Sequence, residues 1–530
     1  MRKYIKKNII YYIGALICVL MSTLFAVILQ FIKGSVLDYA IAGEVSLTIK
    51  YAVFLIGFII CEILFYFFYR LLSSKFVVQC TKELKKNVFE SVLYKNYVEY
   101  KEAPQGEYIS KYITEVDAIK SKYFGMLPFL WEILFKVFFV SLALFRLDWK
   151  IAVVTIFLLT TPLYIPKLIE RQVQCAQKEY LQATEENLVK IKDWLSGFEI
   201  IKNYSLEKTI MNQFDATNTK MMDKLLKDRQ LGACAQLITT LISYISYFIV
   251  LACAAWLVVV RRFSPGDFFV AIGMIDQLSY PLISLAEIIR QLLAIKPVCS
   301  AVEKFERVEK REEREAKFKT FKNEIVYSNV FFSYNHSDMI LNNFNFTIKK
   351  GQHYLIKGPS GCGKTTMVNL LLRYYQADNG EIFIDNKSID SLDNMYDYIT
   401  VVRQEAILFH DTVRNNLTMY QNIPDEDIIE VLTKLGLVKF ANVEALNLVI
   451  TEDGTNLSGG EKKRLCLARA LLRKNEILIF DEPLANLDDK TAKKIEDLLL
   501  EIENKTVLIV SHQFSSDKLH RFAQIYDFEK

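Results

Sequence analysis

Excess charge of one sign is scarce in this chain. Sixty-five Lys and Arg against 61 Asp and Glu leave +4 over 530 residues, too little to suggest a nucleic-acid partner. The nine cysteines include no C-x-x-C pair, and none falls in the short outer loops described below, so reduced thiols and no structural disulfide are expected. There is no internal repeat and no low-complexity tract. Proline, ten residues in all, is missing from most of residues 73–124 and from the whole of 168–231. Both stretches are long and charged, and over most of their length nothing in them breaks a helix.

What is present begins with GPSGCGKT at 358–365. It fits the phosphate-loop pattern G-x-x-x-x-G-K-[ST], and its context is right: apolar Tyr354, Leu355 and Ile356 read as a buried strand before it, and residues 365–372 read as a helix after it. Glycines let successive N–H groups turn toward phosphates, Lys364 reaches the β and γ oxygens, and the Thr365 hydroxyl suits Mg²⁺. Residues 477–480 are a continuous apolar run, as in a strand buried on both faces of a parallel sheet, and it delivers Asp481 and Glu482 to the sheet's carboxyl edge. Asp481 would hold the metal, while Glu482 would polarise the attacking water. A strand ending in two acids is a weak signal alone; downstream of a phosphate loop it is a strong one.

With LSGGE at 457–461 added, the chain resembles the exporter-type ATP-binding cassette (ABC) transporters, over nearly its whole length. Ser458, Gly459 and Gly460 resemble that family's signature loop, with Glu461 where glutamine is more usual and Lys462, Lys463 and Arg464 at hand to offset its charge. Tyr334 resembles the aromatic residue that stacks on adenine, Gln404 the glutamine that senses Mg²⁺ and γ-phosphate, Asp488 the end of the D-loop (with Ala485 and Asn486 departing from the commoner Ser-Ala), and His512 the switch histidine. Taken singly, Tyr334 also suits an ordinary strand aromatic and His512 a satisfied histidine at a strand end; order and spacing favour the functional reading. The resemblance implies ATP and Mg²⁺ as cofactors. Gly358, Ser360, Gly361, Cys362, Gly363, Lys364, Thr365, Thr366, Tyr334, Ser458, Gly459, Gly460 and Asp488 are the expected nucleotide contacts, Glu482, His512 and Gln404 the catalytic set, and Thr365, Gln404 and Asp481 the metal ligands.

Hydrophobic residues make up 52% and aromatics 13% of the chain, and a mean hydropathy of +0.17 is high when half the chain reads as a soluble nucleotide domain. A bilayer core of about 30 Å takes about 20 helical residues. Six segments reach or approach that length, at 9–32, 51–72, 125–145, 151–167, 232–260 and 267–295; the fourth is short and carries Pro162 and Pro166. Soluble modules are thereby excluded. Arg2, Lys3, Lys6 and Lys7 place the N-terminus in the cytoplasm, and an even number of crossings returns the nucleotide domain to that side, as expected of a multi-pass plasma-membrane protein. The first apolar run is too long for a signal peptide, and nothing ahead of it is long enough for a peptidase domain. Outer loops at 34–50, 146–150 and 261–266 are short. The fold class expected is an all-α six-helix transmembrane domain at 1–303, a charged linker at 304–322 and an α/β phosphate-loop domain at 323–530.

By resemblance, residues 97–106 look like a first coupling region and 196–203 lie near a second; ordinary solvated helix turns are the alternative. Charges within spans need an account. Glu132 and Lys136, four apart, suit mutual pairing, and Asp276, Tyr280, Ile283, Glu287 and Arg290 form a helical stripe expected to face the bundle interior. Glu62 and Asp276 are candidate cargo-cavity residues for cationic or amphipathic cargo, or else carboxylates bonded to a neighbouring helix.

In this family ATP lies between the phosphate loop of one domain and the signature loop of another, so one chain implies a homodimer or a pair with a related half-transporter in the lipid bilayer. The favoured function is an exporter or flippase for a peptide, lipid or amphipathic small molecule. The alternatives are an importer on an exporter-type bundle and a regulatory membrane ATPase that moves no cargo. Cys362 inside the phosphate loop yields a direct check: alkylation is expected to abolish ATP binding unless nucleotide is added first, and alkylated protein that binds ATP normally would contradict the assignment.

Overall fold

The computed structural model describes residues 1–164, 170–260, 262–306, 320–334, 338–359, 361–392, 398–451, 454–485 and 487–528. Contacts divide the chain into two units, Met1–Leu93 with Pro104–Val308, and Tyr94–Ala103 with Glu309–Lys530.

The first unit is helical. After a short helix at Arg2–Lys7 come α1 (Ile9–Ile41), α2 (Val45–Leu93), α3 (Met126–Leu147), α4 (Trp149–Tyr164), α5 (Glu170–Ser196), α6 (Glu207–Val259) and α7 (Pro265–Phe305). Among the described residues, Ile9–Ile41, Val45–Leu93, Gln105–Leu147 and Glu207–Val259 are long and apolar enough to cross a membrane, and Trp149–Leu158 is a shorter apolar helix. The end of the fourth expected span, residues 165–167, lies outside the described residues, as does most of the expected linker. Within the charged stretches, residues 73–124 and 170–231 are largely helical, with turns near 94–96, 102–104 and 204–206. α5 and α6 pair through Lys224 to Glu179 at 2.8 Å and Lys220 to Glu186 at 3.2 Å.

Helices α3, α4, α6 and α7 share a core that includes Val140, Leu144, Ala152, Ala254, Met274 and Ile275. Glu132, buried in α3, pairs with Lys136 at 2.8 Å, which removes the cost of a lone charge at that depth. Small residues bring α1 and α7 together: a Cβ at Gly34 would strike Val270 and the Gly266 carbonyl. The junction is fixed by Asp38, which accepts from the Gly266 N–H at 2.7 Å and the Ser264 hydroxyl at 2.6 Å. Ser264 and Asp267 also form a reciprocal capping box at the start of α7.

The stripe on α7 needs a correction. The side chains of Tyr280, Ile283 and Glu287 lie outside the described residues. Asp276 and Arg290 are exposed on the single chain, whereas Ala271, Met274, Ile275 and Leu278 form the buried face. Burying the apolar side chains spares the Asp276 carboxylate the cost of desolvation on that face.

The second unit holds two sheets. Strands β1 (Glu324–Phe332), β2 (Leu341–Lys349), β4 (Asn379–Ile384) and β5 (Lys387–Ser388) form an antiparallel sheet in the order β2-β1-β4-β5. Strands β3 (His353–Lys357), β6 (Ile399–Val402), β7 (Ile477–Asp481), β8 (Thr506–Val510) and β9 (Gln524–Asp527) form a parallel sheet ordered β6-β7-β8-β3-β9. Every residue of β7 and β8 is buried, and successive side chains go to opposite cores. Tyr354, Ile356, Ile477, Ile479, Leu508 and Val510 join the antiparallel sheet and α8 (Lys364–Leu371). Leu355, Leu478, Phe480, Val507 and Ile509 join a second core with α9 (Asp425–Lys434), α10 (Gly459–Leu472) and α11 (Asp489–Leu500). That two-sided burial explains the unbroken apolar runs.

Phe480 is fully buried one residue before the acidic pair. Phe480→Ala is expected to destabilise this unit by about 3–5 kcal/mol, and Phe480→Leu by less than about 1.5 kcal/mol, read as the drop in thermal unfolding of the detergent-solubilised protein.

Candidate functional site

The phosphate loop joins β3 to α8. Gly358 and Gly363 have φ of 143° and 108°, a region that L side chains avoid. A Cβ at Gly358 would strike the Cys362 thiol and Phe528. With Gly363 at the N-cap, the first turn of α8 presents unpaired backbone N–H groups to the loop, an arrangement suited to anions. The Lys364 ammonium, nearly buried, donates to the carbonyls of Gly358 and Pro359, each at 2.7 Å. Thr365 is exposed in the same turn and Thr366 is buried, its hydroxyl 3.2 Å from that of Tyr334. Ser360 lies outside the described residues. Tyr334 keeps an exposed ring, edge-on to Phe332 and Tyr375 at 4.9 and 5.0 Å between centroids. A free aromatic face beside a phosphate loop suits a nucleobase.

Neighbouring strands bring in the acids. Asp481 ends β7 at 5% exposure, and Glu482 follows at 8%. Burial raises the Asp481 carboxyl above its ordinary range, opposed by the Arg403 guanidinium 3.8 Å away. Glu482 sits at φ 50°, a strained backbone for a residue with a Cβ. Its Oε1 lies 2.8 Å from His512 Nδ1, just beyond β8, and its Oε2 is buried with no hydrogen-bond partner among the described residues. One oxygen is thus oriented by an imidazole while the other is left to accept a proton. Gln404, exposed just after β6, completes this edge. Phosphate loop, Asp481, Glu482 and His512 therefore meet at the carboxyl ends of β3, β7 and β8, where open α/β sheets bind ligands. The set fits a magnesium nucleotide: a hydroxyl and a single firmly placed carboxylate suffice for Mg²⁺ bound through phosphates, and no group of three or more His, Cys, Asp or Glu poised for a metal occurs among the described residues.

The signature residues are elsewhere. Ser458 is the N-cap of α10, its hydroxyl accepting from the Glu461 N–H at 3.2 Å while Glu461 accepts from the Ser458 N–H at 2.8 Å. Ser458 and Gly459 are exposed, and a Cβ on Gly459 would meet nothing. Among the described residues no hydrogen bond or ion pair joins Ser458 or Glu461 to the phosphate loop. Asp488 caps α11 through the Thr491 N–H at 3.0 Å. Asn486 of the D-loop lies outside the described residues.

Of the residues expected to offset Glu461, Lys463 and Arg464 are engaged elsewhere, and the ion pair to Glu461 comes from Lys439, 2.5 Å away on the turn after α9. Burial would raise the Glu461 carboxyl, but hydrogen bonds from Lys439 and Ser458 hold it below its ordinary range. Arg464 donates instead to the carbonyls of Leu435 and Gly436, and Lys463 turns inward. Sequence reasoning also missed Arg403, although it adjoins Gln404, and the tyrosines after α8. Tyr97, on a short helix at Tyr97–Lys101 that groups with this unit, stacks on Tyr374 at 3.9 Å, and Tyr375 lies edge-on to both Tyr97 and Tyr334. The other region singled out, Phe198–Asn203, is a short helix of the first unit with Phe198 and Ile200 exposed.

Comparison with known proteins bears on this arrangement. The family model described as the ABC transporter transmembrane region matches residues 9–282, and that described as ABC transporter matches 341–485. The multidrug resistance-like ATP-binding protein MdlB of Buchnera aphidicola (subsp. Acyrthosiphon pisum) is 28% identical over 478 residues, covering 87% of this chain and 81% of that protein. The ATP-dependent lipid A-core flippase of Syntrophus aciditrophicus is 27% identical over 462 residues, covering 85% and 76%. A solved structure of a bacterial Atm1-family ABC exporter with ATP bound shares the fold at TM-score 0.79 and 20% identity, over 96% of this chain and 91% of that one.

The 2.8 Å contact between His512 and Glu482 generates a prediction. His512→Ala is expected to lower hydrolysis of ATP at least about 100-fold while leaving ATP binding nearly unchanged; hydrolysis at the parent rate would separate His512 from Glu482's chemistry.

Proposed function

Because the chain belongs to the ABC transporter family, with a membrane-spanning helical domain ahead of an ATP-binding domain, we propose that it is an ATP-driven exporter or flippase. It works as a dimer of half-transporters, a homodimer or a pair with a related chain. The observation that carries this is the separation within one chain of the phosphate loop and its acids from an exposed signature turn at Ser458 and Gly459. Each half is built to be finished by another copy, so two ATP molecules would be enclosed by Lys364 and Thr365 of one protomer and Ser458 and Gly460 of its partner.

In each site the phosphate-loop N–H groups and Lys364 bind and orient the phosphates. The Tyr334 ring seats the base. Thr365, Asp481 and Gln404 would hold Mg²⁺, which supplies charge neutralisation on the phosphates. Glu482, aligned by His512, takes a proton from the attacking water. Enclosing ATP favours the closed pair by differential affinity, and hydrolysis removes that preference, so the helical domains alternate the side to which they open. Residues 1–303 form the transmembrane domain, 304–322 the linker and 323–530 the nucleotide domain. The short helix with Tyr97 and the turn with Phe198 and Ile200 are its coupling points.

Arg2, Lys3, Lys6 and Lys7 favour an N-terminus and nucleotide domain on the cytoplasmic side of a multi-pass plasma-membrane protein. Asp276, exposed on the single chain, and Glu62 suit a cavity between protomers that takes cationic or amphipathic cargo. Relatives described as a lipid A-core flippase and a multidrug resistance-like protein support amphipathic cargo.

Two outcomes are expected. Glu482→Gln binds ATP, stops turnover and accumulates as an ATP-bound closed dimer. Inside-out vesicles carrying the parent protein, and not this variant, accumulate a cationic amphipathic dye or a fluorescent phospholipid when ATP is added. Parent-like hydrolysis by Glu482→Gln would remove Glu482 from its role, and ATP-driven loss of probe from the vesicles would reverse the direction assigned.

A further inference from the structure

Lys463 lies in the second turn of α10, five residues beyond Ser458, and is 3% exposed. Its ammonium donates to three main-chain carbonyls, those of Arg403 at 2.9 Å, Gln404 at 3.1 Å and Asp481 at 3.5 Å. The first two leave β6 and the third ends β7, so one side chain of the signature helix fastens the segments that leave two adjacent strands. An ammonium has three donors and no acceptor, and this one is matched to three acceptors on different segments. No carboxylate lies within ion-pair distance of it among the described residues.

A role in packing alone would not select this arrangement, since an apolar side chain of similar volume avoids the cost of burying a charge. What the ammonium adds is direction. It ties α10 to the residues that face the metal side of the chain's own ATP site, including Arg403, whose guanidinium also reaches Asp481 at 3.8 Å and Asn369 at 2.6 Å. The opposite side of α10 is held independently, by Glu461 on Lys439 and by Arg464 on the Leu435 and Gly436 carbonyls.

We propose that Lys463 is a positioning residue that makes the metal-side loops of one ATP site and the signature end of the other move together. The inference rests on the composite-site reading above. In each chain Gln404 and Asp481 serve that chain's own nucleotide and Ser458 serves the partner's, and Lys463 is the rigid link between them. Binding of magnesium nucleotide in one site thereby sets the signature turn for the second.

The test uses the full-length protein with Lys463→Met, which removes the donors, and Lys463→Gln, which keeps two of them without the charge. Three quantities are measured: ATP affinity in EDTA, the Mg²⁺ concentration for half-maximal hydrolysis, and the ATP concentration at which the Glu482→Gln background occludes nucleotide. Lys463→Met is expected to leave ATP affinity in EDTA within about threefold and to raise both other quantities about tenfold, a loss of the size that misplacement of site groups causes; Lys463→Gln shifts both in the same direction by less. A rise in only one of the two, or in neither, overturns the link. Should Lys463→Met bind no ATP in EDTA, the two shifts in Lys463→Gln decide on the same terms. Failure of Glu482→Gln itself to occlude ATP overturns the composite-site reading and the link with it, whereas occlusion with both quantities unmoved overturns the link alone.

Discussion

Two adjacent carboxylates held almost entirely out of water at the end of β7 are the constraint to which the nucleotide unit is built. Burying acids is expensive unless positive charge and hydrogen-bond donors are brought to them. Each neighbouring element contributes: β6 leads to Arg403, β8 to His512, the phosphate loop to Lys364, and α10 to Lys463. The same apolar strand that makes burial possible, with Leu478 and Phe480 to one core and Ile477 and Ile479 to the other, holds the acids rigidly. In the function proposed, that rigidity keeps the spare oxygen of Glu482 in one position relative to an approaching water.

The parts of this site that were legible in the sequence are those where chemistry dictates residue type at fixed local spacing. Glycines at the loop, Lys364, Thr365 and the acids after a strand are set by the backbone's approach to phosphate and by the sheet edge. Tertiary partners are another matter. Lys439 is the counter-ion of Glu461 from 22 positions away, and no local pattern marks it. Lys463 did leave a trace. Cys466, Leu467 and Ala470 are buried on α10, and helical spacing puts residue 463 on that same apolar face. A lysine there is a local rule broken, and broken rules concentrate at functional positions.

The helical unit was legible for a coarser reason. Length and hydropathy identify spans, and proline-poor charged stretches continue them as helices, as α2 and α6 do over 49 and 53 residues. The facing of individual side chains was not legible, because on a long apolar helix every face is apolar enough to pack and the choice is made by neighbours. Asp276 illustrates this: its stripe follows helical spacing, yet Met274, Ile275 and Leu278 occupy the packed face.

One contact in that unit has a mechanical meaning. Where α1 crosses the start of α7, Gly34 and Gly266 let backbone rest on backbone, and Asp38 grips the Ser264 hydroxyl and the Gly266 amide. Bare main chains in contact have no flexible side chains to cushion relative travel, and the grip of a single carboxylate dies away within an ångström or two. A side chain added at Gly34 or Gly266 would therefore force the two helices apart and break the Asp38 grip together with the contact.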